Sequence, residues 1–239
     1  ASAGLGLLLC EAIIRLAGLA PPVHAIWVEE DGSFYRRATN AVLNYELKPD
    51  FTRVFPAGRA SSNSHGRRDR ERSREKPANV RRVLVLGDSV VEGISYVGDE
   101  DTLSRQLEKL YPDGRTEFLN FGTSGYCTLA EVNLLRDRGL AFKPDLVLLI
   151  FVNNDYNNFN PEHTVTSGVV ERPDWTKHLF VKSHLFRRSA LQFNWYHFAD
   201  EARPHGRHHD AVGRNNVVEG LLLLRELANR QDFQVLIVA

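Results

Sequence analysis

Arg82-Val-Leu-Val-Leu-Gly-Asp-Ser-Val-Val-Glu-Gly93 is the stretch that decides the reading of this 239-residue chain. Val83–Leu86 form an unbroken apolar run, as expected of a strand buried on both faces. The run stops at Gly87-Asp88-Ser89, and a helix-like segment follows. A serine at the carboxyl end of a buried strand stands where open α/β sheets place ligands and reacting groups. Gly87 permits a tight turn, so that the Ser89 hydroxyl and backbone N–H face one cavity. Serine alone is a weak nucleophile. It needs a base and a set of donors for the developing oxyanion.

Two further segments supply donors. Asn120-Phe-Gly-Thr-Ser-Gly125 follows the strand-like run Glu117–Leu119, and Val152-Asn-Asn-Asp155 follows Leu146–Phe151. All three motifs therefore stand at the carboxyl ends of expected strands, which lie along one edge of a parallel sheet. The backbone N–H groups of Ser89 and Gly125 and the side-chain amide of Asn154 are the candidate oxyanion donors.

Gly87-Asp-Ser-Val-Val-Glu-Gly93, Asn120-Phe-Gly-Thr-Ser-Gly-Tyr-Cys-Thr128 and Val152-Asn-Asn-Asp-Tyr-Asn-Asn158 resemble the first three sequence blocks of the SGNH, or GDSL-type, hydrolases. The resemblance runs from about Asn63 to Asn158. It implies a three-layer α/β/α sandwich on a parallel, flavodoxin-like sheet. It also implies Ser89 as nucleophile, an oxyanion hole of Ser89, Gly125 and Asn154, and supporting roles for Asp88, Asn120 and Asp155. Asp155 is expected to point away from the pocket and accept backbone N–H bonds, since a carboxylate facing it would oppose the charge developing there. Valine replaces the leucine of GDSL, and Val152 stands where the third block usually has glycine. The family's Asn-Ser-x-Gly-x-Arg element matches a turn at Asn63-Ser-His-Gly66, which puts Arg67 within reach of substrate.

The family takes its catalytic histidine and acid from a C-terminal Asp-x-x-His, and no such motif occurs here. The closing run Phe233–Ala239 reads as a last buried strand without a following loop. The expectation is a fragment, with the fold incomplete at the C-terminus and the catalytic His and Asp outside the chain. The cluster His205-Gly-Arg-His-His209, next to Asp210, reads as a polar loop, with metal binding or a surrogate base as its alternatives. His163, His178, His184 and His197 fall in an insertion and read as surface or cleft residues.

Thirty basic and thirty acidic side chains balance, so no global charge argues for nucleic acid. Cys10 and Cys127 are too few for a disulfide framework, and Cys127 reads as a small buried filler near the pocket. Residues 1–20 read as the tail of a membrane helix or signal anchor. Glu11 and Arg15, spaced to pair on a helix, lie toward its Pro21-Pro22 end. The alternative is an ordinary amphipathic helix. Related bacterial proteins carry such a leader with a Glu…Arg pattern, which implies a membrane-anchored protein with its domain facing the periplasm or exterior.

Residues 21–80 read as spacer and charged linker, with nine Lys/Arg against three Asp/Glu over Arg59–Arg82. The hydrolase domain is assigned to 81–239, with an insertion over 157–214. Helices are expected over Thr102–Tyr111, Leu129–Leu140 and Asn216–Asn229. The aromatics of the insertion read mainly as packing between short helices, and otherwise as a lid or acyl groove.

The leading function is ester hydrolysis through an acyl-enzyme, on a small-molecule, lipid or polysaccharide ester such as O-acetyl groups of the cell envelope. Acyl transfer shares the first half-reaction. A non-catalytic carbohydrate-binding or assembly module on the same scaffold is the reading from another class. A nucleotide binder is excluded by the lack of a phosphate-cradling glycine pattern after the first strand. No cofactor and no metal is implied.

Overall fold

An apolar run such as Val83-Leu-Val-Leu86 sends alternate side chains to opposite sides, so it must be covered on both. In the computed structural model of the protein it lies at the centre of a four-stranded parallel sheet. The structure describes residues 2–20, 34–40, 42–43, 45–93, 96–156, 173–199 and 215–239. In chain order the elements are α1 (Ser2–Leu16), β1 (Tyr35–Arg37), β2 (Tyr45–Leu47), β3 (Thr52–Phe55), β4 (Gly58–Ser61) and β5 (Arg81–Gly87). There follow α2 (Ser89–Glu92), α3 (Leu103–Leu110), β6 (Thr116–Gly122), α4 (Thr128–Leu134) and β7 (Leu146–Ile150). The last are α5 (Asp174–Lys182), α6 (His184–Gln192), α7 (Asn216–Gln231) and β8 (Gln234–Val238).

The sheet order is β6-β5-β7-β8. Val83 and Val85 pack with Val91 and Leu148, and this cluster is covered by Leu103 and Leu107 of α3. Leu84 points the other way, where Gly139 lies beneath it. A β-carbon on Gly139 would stand 2.8 Å from Leu84 Cδ2 and 2.9 Å from Leu135 Cδ1. The chain is therefore layered α/β/α, as the sequence predicts. The expected helix over Leu129–Leu140 is in fact three pieces: α4, a π turn at Leu135–Gly139 and a 3-10 turn at Leu140–Phe142. The wider turn accompanies the seating of Gly139 against the sheet. β8 differs from its neighbours, since all five of its residues are exposed, Leu236 to 51%.

The segment 62–82 does not behave as a solvated linker. Arg67, Arg68, Arg72 and Arg82 are all buried. Arg82 donates to the carbonyls of Ser73, Arg74, Glu75 and Phe142 and to Glu117 Oε2 at 2.8 Å. Arg72 bridges Asp69 and Glu108. The basic run is a strap in which Arg68, Arg72 and Arg82 bind carbonyls and carboxylates, which offsets much of the cost of burying their charge.

The chain divides into two packed units, Ala1–Arg37 with Phe159–Asp210, and Ala38–Asn158 with Ala211–Ala239. The sheet belongs to the second. Apart from β1, the regular elements described in the first are helices. Within it Glu11 of α1 caps α6, accepting the N–H groups of His184 and Leu185 at 3.0 and 2.8 Å and the Ser183 hydroxyl at 2.8 Å. Arg15 pairs with Glu11 and donates to the Lys182 carbonyl, and Arg188 donates to that of Leu19. Phe180 and Phe198 stack at 4.0 Å and are fully buried, as the packing reading of the aromatics predicts. Among the described residues no helix is long and apolar enough to cross a membrane.

Candidate active site

The turn after β5 is built for close approach. A β-carbon on Gly87 would stand 2.4 Å from Val91 Cγ2, so only glycine lets α2 fold back onto the strand end. Asp88 is the N-cap of α2: its carboxylate accepts the Val90 N–H at 2.9 Å, and this partner satisfies a first-turn donor. Gly93, at φ 70°, closes the turn in the left-handed region. Ser89 is thereby fixed at the first position of α2. Its hydroxyl is partly exposed and lies 3.5 Å from Asp88 Oδ2.

Asn120 and Gly122 prove to be the last residues of β6 instead of following it, since the ladder with β5 runs on to the pair Gly87–Gly122. The Asn120 amide donates to the Val91 carbonyl at 2.8 Å, and its oxygen accepts the Gly122 N–H at 2.9 Å. One side chain thus ties the nucleophile turn to the loop 122–126. A β-carbon on Gly122 would sit 2.2 Å from the Glu92 nitrogen. Two more bonds join the same pair of loops: Thr123 N–H to Gly87 O at 3.1 Å, and Ser124 N–H to the Glu92 carboxylate. Gly125, at φ 79°, turns the loop in a conformation that disfavours other residues. Among the described residues, the N–H groups of Ser89 and Gly125 have no acceptor.

The third turn is a 3-10 turn at Asn153–Tyr156, after β7 on the same sheet edge. It carries Asn154, whose side chain lies outside the described residues. Asp155 is fully buried, and its Oδ2 accepts the Val152 N–H at 3.0 Å. Burial pushes its carboxyl up to about 7, opposed by the Val152 bond and reinforced by the charge of Asp88. Glu131 of α4, also fully buried, has both oxygens without a partner among the described residues, and burial raises it well above the ordinary carboxylate range. Asp88 and Asp155 add to that shift. Three acidic side chains thus share the dry interior at this end of the sheet, where a proton on Glu131 is favoured over a third charge.

Ser89, Gly125, Asn120 and Asp88 are brought together by direct contacts between their turns. Arg67 does not reach a substrate-facing surface. It is 2% exposed with its guanidinium over the Phe121 ring, 5.5 Å from the centroid. Cys127 is buried, and burial pushes its thiol up to about 12. His65 Nε2 is 3.0 Å from the Arg72 carbonyl. His163 and the 205–209 tract lie outside the described residues.

Four supporting residues escape the sequence reading. Glu92 holds the Ser124 N–H. Arg68 donates to the carbonyls of Glu92 at 3.0 Å and of Val97, clamping the end of α2. The Tyr45 hydroxyl donates to the Ser124 carbonyl at 2.5 Å, and that of Tyr126 to the Tyr45 carbonyl. Glu92 was visible inside Gly87-Asp-Ser-Val-Val-Glu-Gly93. The others bind main-chain carbonyls, for which sequence carries no signal.

No protein-family model matches the chain, and no curated protein does. Several solved structures are similar to part of it. The SGNH-hydrolase family esterase AlinE4 is 18% identical at TM-score 0.31, over 67% of this chain and 77% of that one. LAE5, an alpha/beta hydrolase enzyme from the metagenome of Lake Arreo, is 18% identical at TM-score 0.28, over 65% and 75%. A catalytic mutant of Axe2, an acetylxylan esterase from Geobacillus stearothermophilus, is 14% identical at TM-score 0.29, over 67% and 77%. At such TM-scores these likenesses carry no argument about chemistry.

Proposed function

We propose that the protein is a serine ester hydrolase acting through an acyl-enzyme on Ser89. The observation that supports it most is that the N–H groups of Ser89 and Gly125, on two mutually braced turns, have no acceptor among the described residues, while Ser89 is partly exposed. In this reading Ser89 Oγ bonds to the ester carbonyl carbon while its proton passes to a histidine outside the described residues. The carbonyl oxygen becomes an oxyanion received by the two N–H groups and the Asn154 amide. Collapse breaks the bond to the alcohol, which leaves with the proton, and water then hydrolyses the acyl-serine by the same path. Donors of this kind are commonly worth about 10²–10³-fold each. An acceptor alcohol in place of water would turn the second half into acyl transfer.

The proposed substrates are O-acyl or carboxylic esters, with envelope O-acetyl groups as the class suited to a membrane-held enzyme. The membrane attachment is proposed for α1. Leu7, Leu8 and Leu9 are each more than 60% exposed, yet successive helix positions lie about 100° apart. Apolar side chains therefore point out on several sides, which suits lipid better than one protein groove.

The test is p-nitrophenyl acetate turnover by the intact protein and by Ser89→Ala. The expected loss is at least about 10³-fold. Turnover that survives the substitution would remove Ser89 as the nucleophile, and an intact protein without turnover would leave the scaffold as a binding module.

A further inference from the structure

The aromatics of the helical unit form two layers. Outward from the stacked, buried Phe180 and Phe198 runs a connected set of rings. Phe186 meets Phe198 at 6.4 Å, Trp175 at 6.4 Å and Trp195 at 6.0 Å. Trp175 meets Tyr196 at 5.5 Å edge to face, and Trp195 meets Phe193 at 5.8 Å. The outer four are open to solvent: Trp175 54%, Phe193 64%, Trp195 44% and Tyr196 42%. Single exposed apolar residues are ordinary; a contiguous patch of four large rings marks an interaction surface.

The backbone holds these rings outward at a cost. Asn194, Tyr196 and His197 all have φ between 51° and 61°. The left-handed region disfavours residues with a β-carbon, and three within four residues need a compensating purpose. The Asn194 side chain steadies the turn by accepting the Ala199 N–H at 2.9 Å. Charge points to the partner: over residues 173–199 Lys177, Lys182 and Arg188 reach the surface against Asp174, while Arg187 is buried. Lys182 and Arg188 are exposed, as is Arg15 of the same unit. Two exposed tryptophans and a tyrosine on a unit that also carries exposed cations suit a membrane–water interface, where an amphipathic ring keeps its N–H or O–H wet, and anionic headgroups answer the basic side chains.

We propose that Trp175, Phe193, Trp195 and Tyr196 form a docking surface that seats in the headgroup layer of a bilayer containing anionic lipid. It builds on the proposed membrane attachment through α1, which Glu11 and Arg15 fasten to the same helices. The patch supplies a second foothold and fixes how the unit lies on the membrane. The α1 helix alone would only tether it.

The experiment uses the intact protein with Trp27→Phe, which leaves Trp175 and Trp195 as the remaining tryptophans. It is mixed with phosphatidylcholine vesicles, with or without one-quarter phosphatidylglycerol, whose acyl chains are brominated near the headgroup or deep. Shallow bromines should quench the emission at least twofold on anionic vesicles, and deep bromines much less. Phe193→Ser with Trp195→Ser should weaken co-sedimentation with anionic vesicles tenfold or more while far-UV circular dichroism stays unchanged. Leu8→Gln with Leu9→Gln tests the α1 reading separately. If this pair abolishes pelleting while the aromatic pair has no effect, the anchor stands and the docking surface is wrong. Unquenched emission on pelleted protein overturns it without relying on any patch variant. So does a lipid-free dimer in sedimentation velocity that the aromatic pair dissolves, which would assign the patch to a second copy of the chain.

Discussion

The turns after β5 and β6 are held by each other, whereas the turn after β7 is held by its own carboxyl. Asn120, Glu92 and the bare α-carbon of Gly122 tie Gly87–Gly93 and Gly122–Tyr126 into one body. Asp155 secures the third turn by accepting the Val152 N–H on its carboxyl and donating its own N–H to the Val152 carbonyl at 3.0 Å, and its affinity for a proton is raised by burial. Cross-braced turns place a nucleophile and a donor within tight limits, at the expense of tolerating no added atom. A turn pinned by a buried acid accepts substitution more readily but answers to pH.

The largest expected effect is at Gly122. Alanine would drive a methyl into the Glu92 nitrogen and the Val91 carbonyl carbon, 2.2 and 2.7 Å from the new atom. Backbone is on both sides, so relief requires parting α2 from β6. Gly122→Ala should cost about 3 kcal/mol or more by thermal or urea unfolding and remove ester turnover. An unchanged melting temperature would show that the two turns are not locked by contact.

Glu92→Ala should cost about 1–3 kcal/mol, because the Ser124 N–H loses a charged acceptor. The loss in kcat should exceed that in KM, since the Gly125 loop would drift while the rest of the site stays. Glu92→Gln, which keeps an acceptor, should recover much of it. Equal losses for Ala and Gln would mean that the charge, and not the bond, is what the loop needs.

The third turn gives the smaller, pH-dependent effect. The Asp155 carboxyl is raised from 3.8 to about 7 in the folded protein. Below about pH 4 it is protonated in both states. Between there and about 7 the native state holds a proton that the unfolded chain has released, so stability falls as pH rises, then levels off above 7. Glu131 acts in the same direction and extends the fall upward. Melting temperatures across pH 5 to 8 should decline in the parent, and less steeply in Asp155→Asn. Parallel slopes for the two proteins would remove Asp155 from the account.

Much of the sheet was legible because buried parallel strands announce themselves as apolar runs. Val83–Leu86 and Leu146–Ile150 fall where their composition puts them. Asn120 was read as lying beyond its strand because asparagine is rare in sheets. Here it stays in register opposite Val85 while its side chain serves the neighbouring turn. The strap was misread for a related reason. Arginine is usually solvated, and nothing local distinguishes Arg68 or Arg82 from Arg70, which stays exposed. The difference lies in carbonyls contributed by Glu92, Val97 and Phe142, distant in sequence. Short-range pattern therefore revealed where the reacting groups stand, and not what steadies them.

The edge strand β8 carries a consequence for how residues 1–239, taken alone, behave at high concentration. Gln234-Val-Leu-Ile-Val238 has no charge and no proline, and Val235, Leu236, Ile237 and Val238 are 37–51% exposed on the outer rim of a parallel sheet. Such a rim is a template on which another extended segment can lay its own backbone N–H and C=O groups. A polypeptide of residues 1–239 alone should slowly acquire thioflavin-positive aggregates seeded at this rim, and Leu236→Lys should delay their appearance without touching the turns around Ser89.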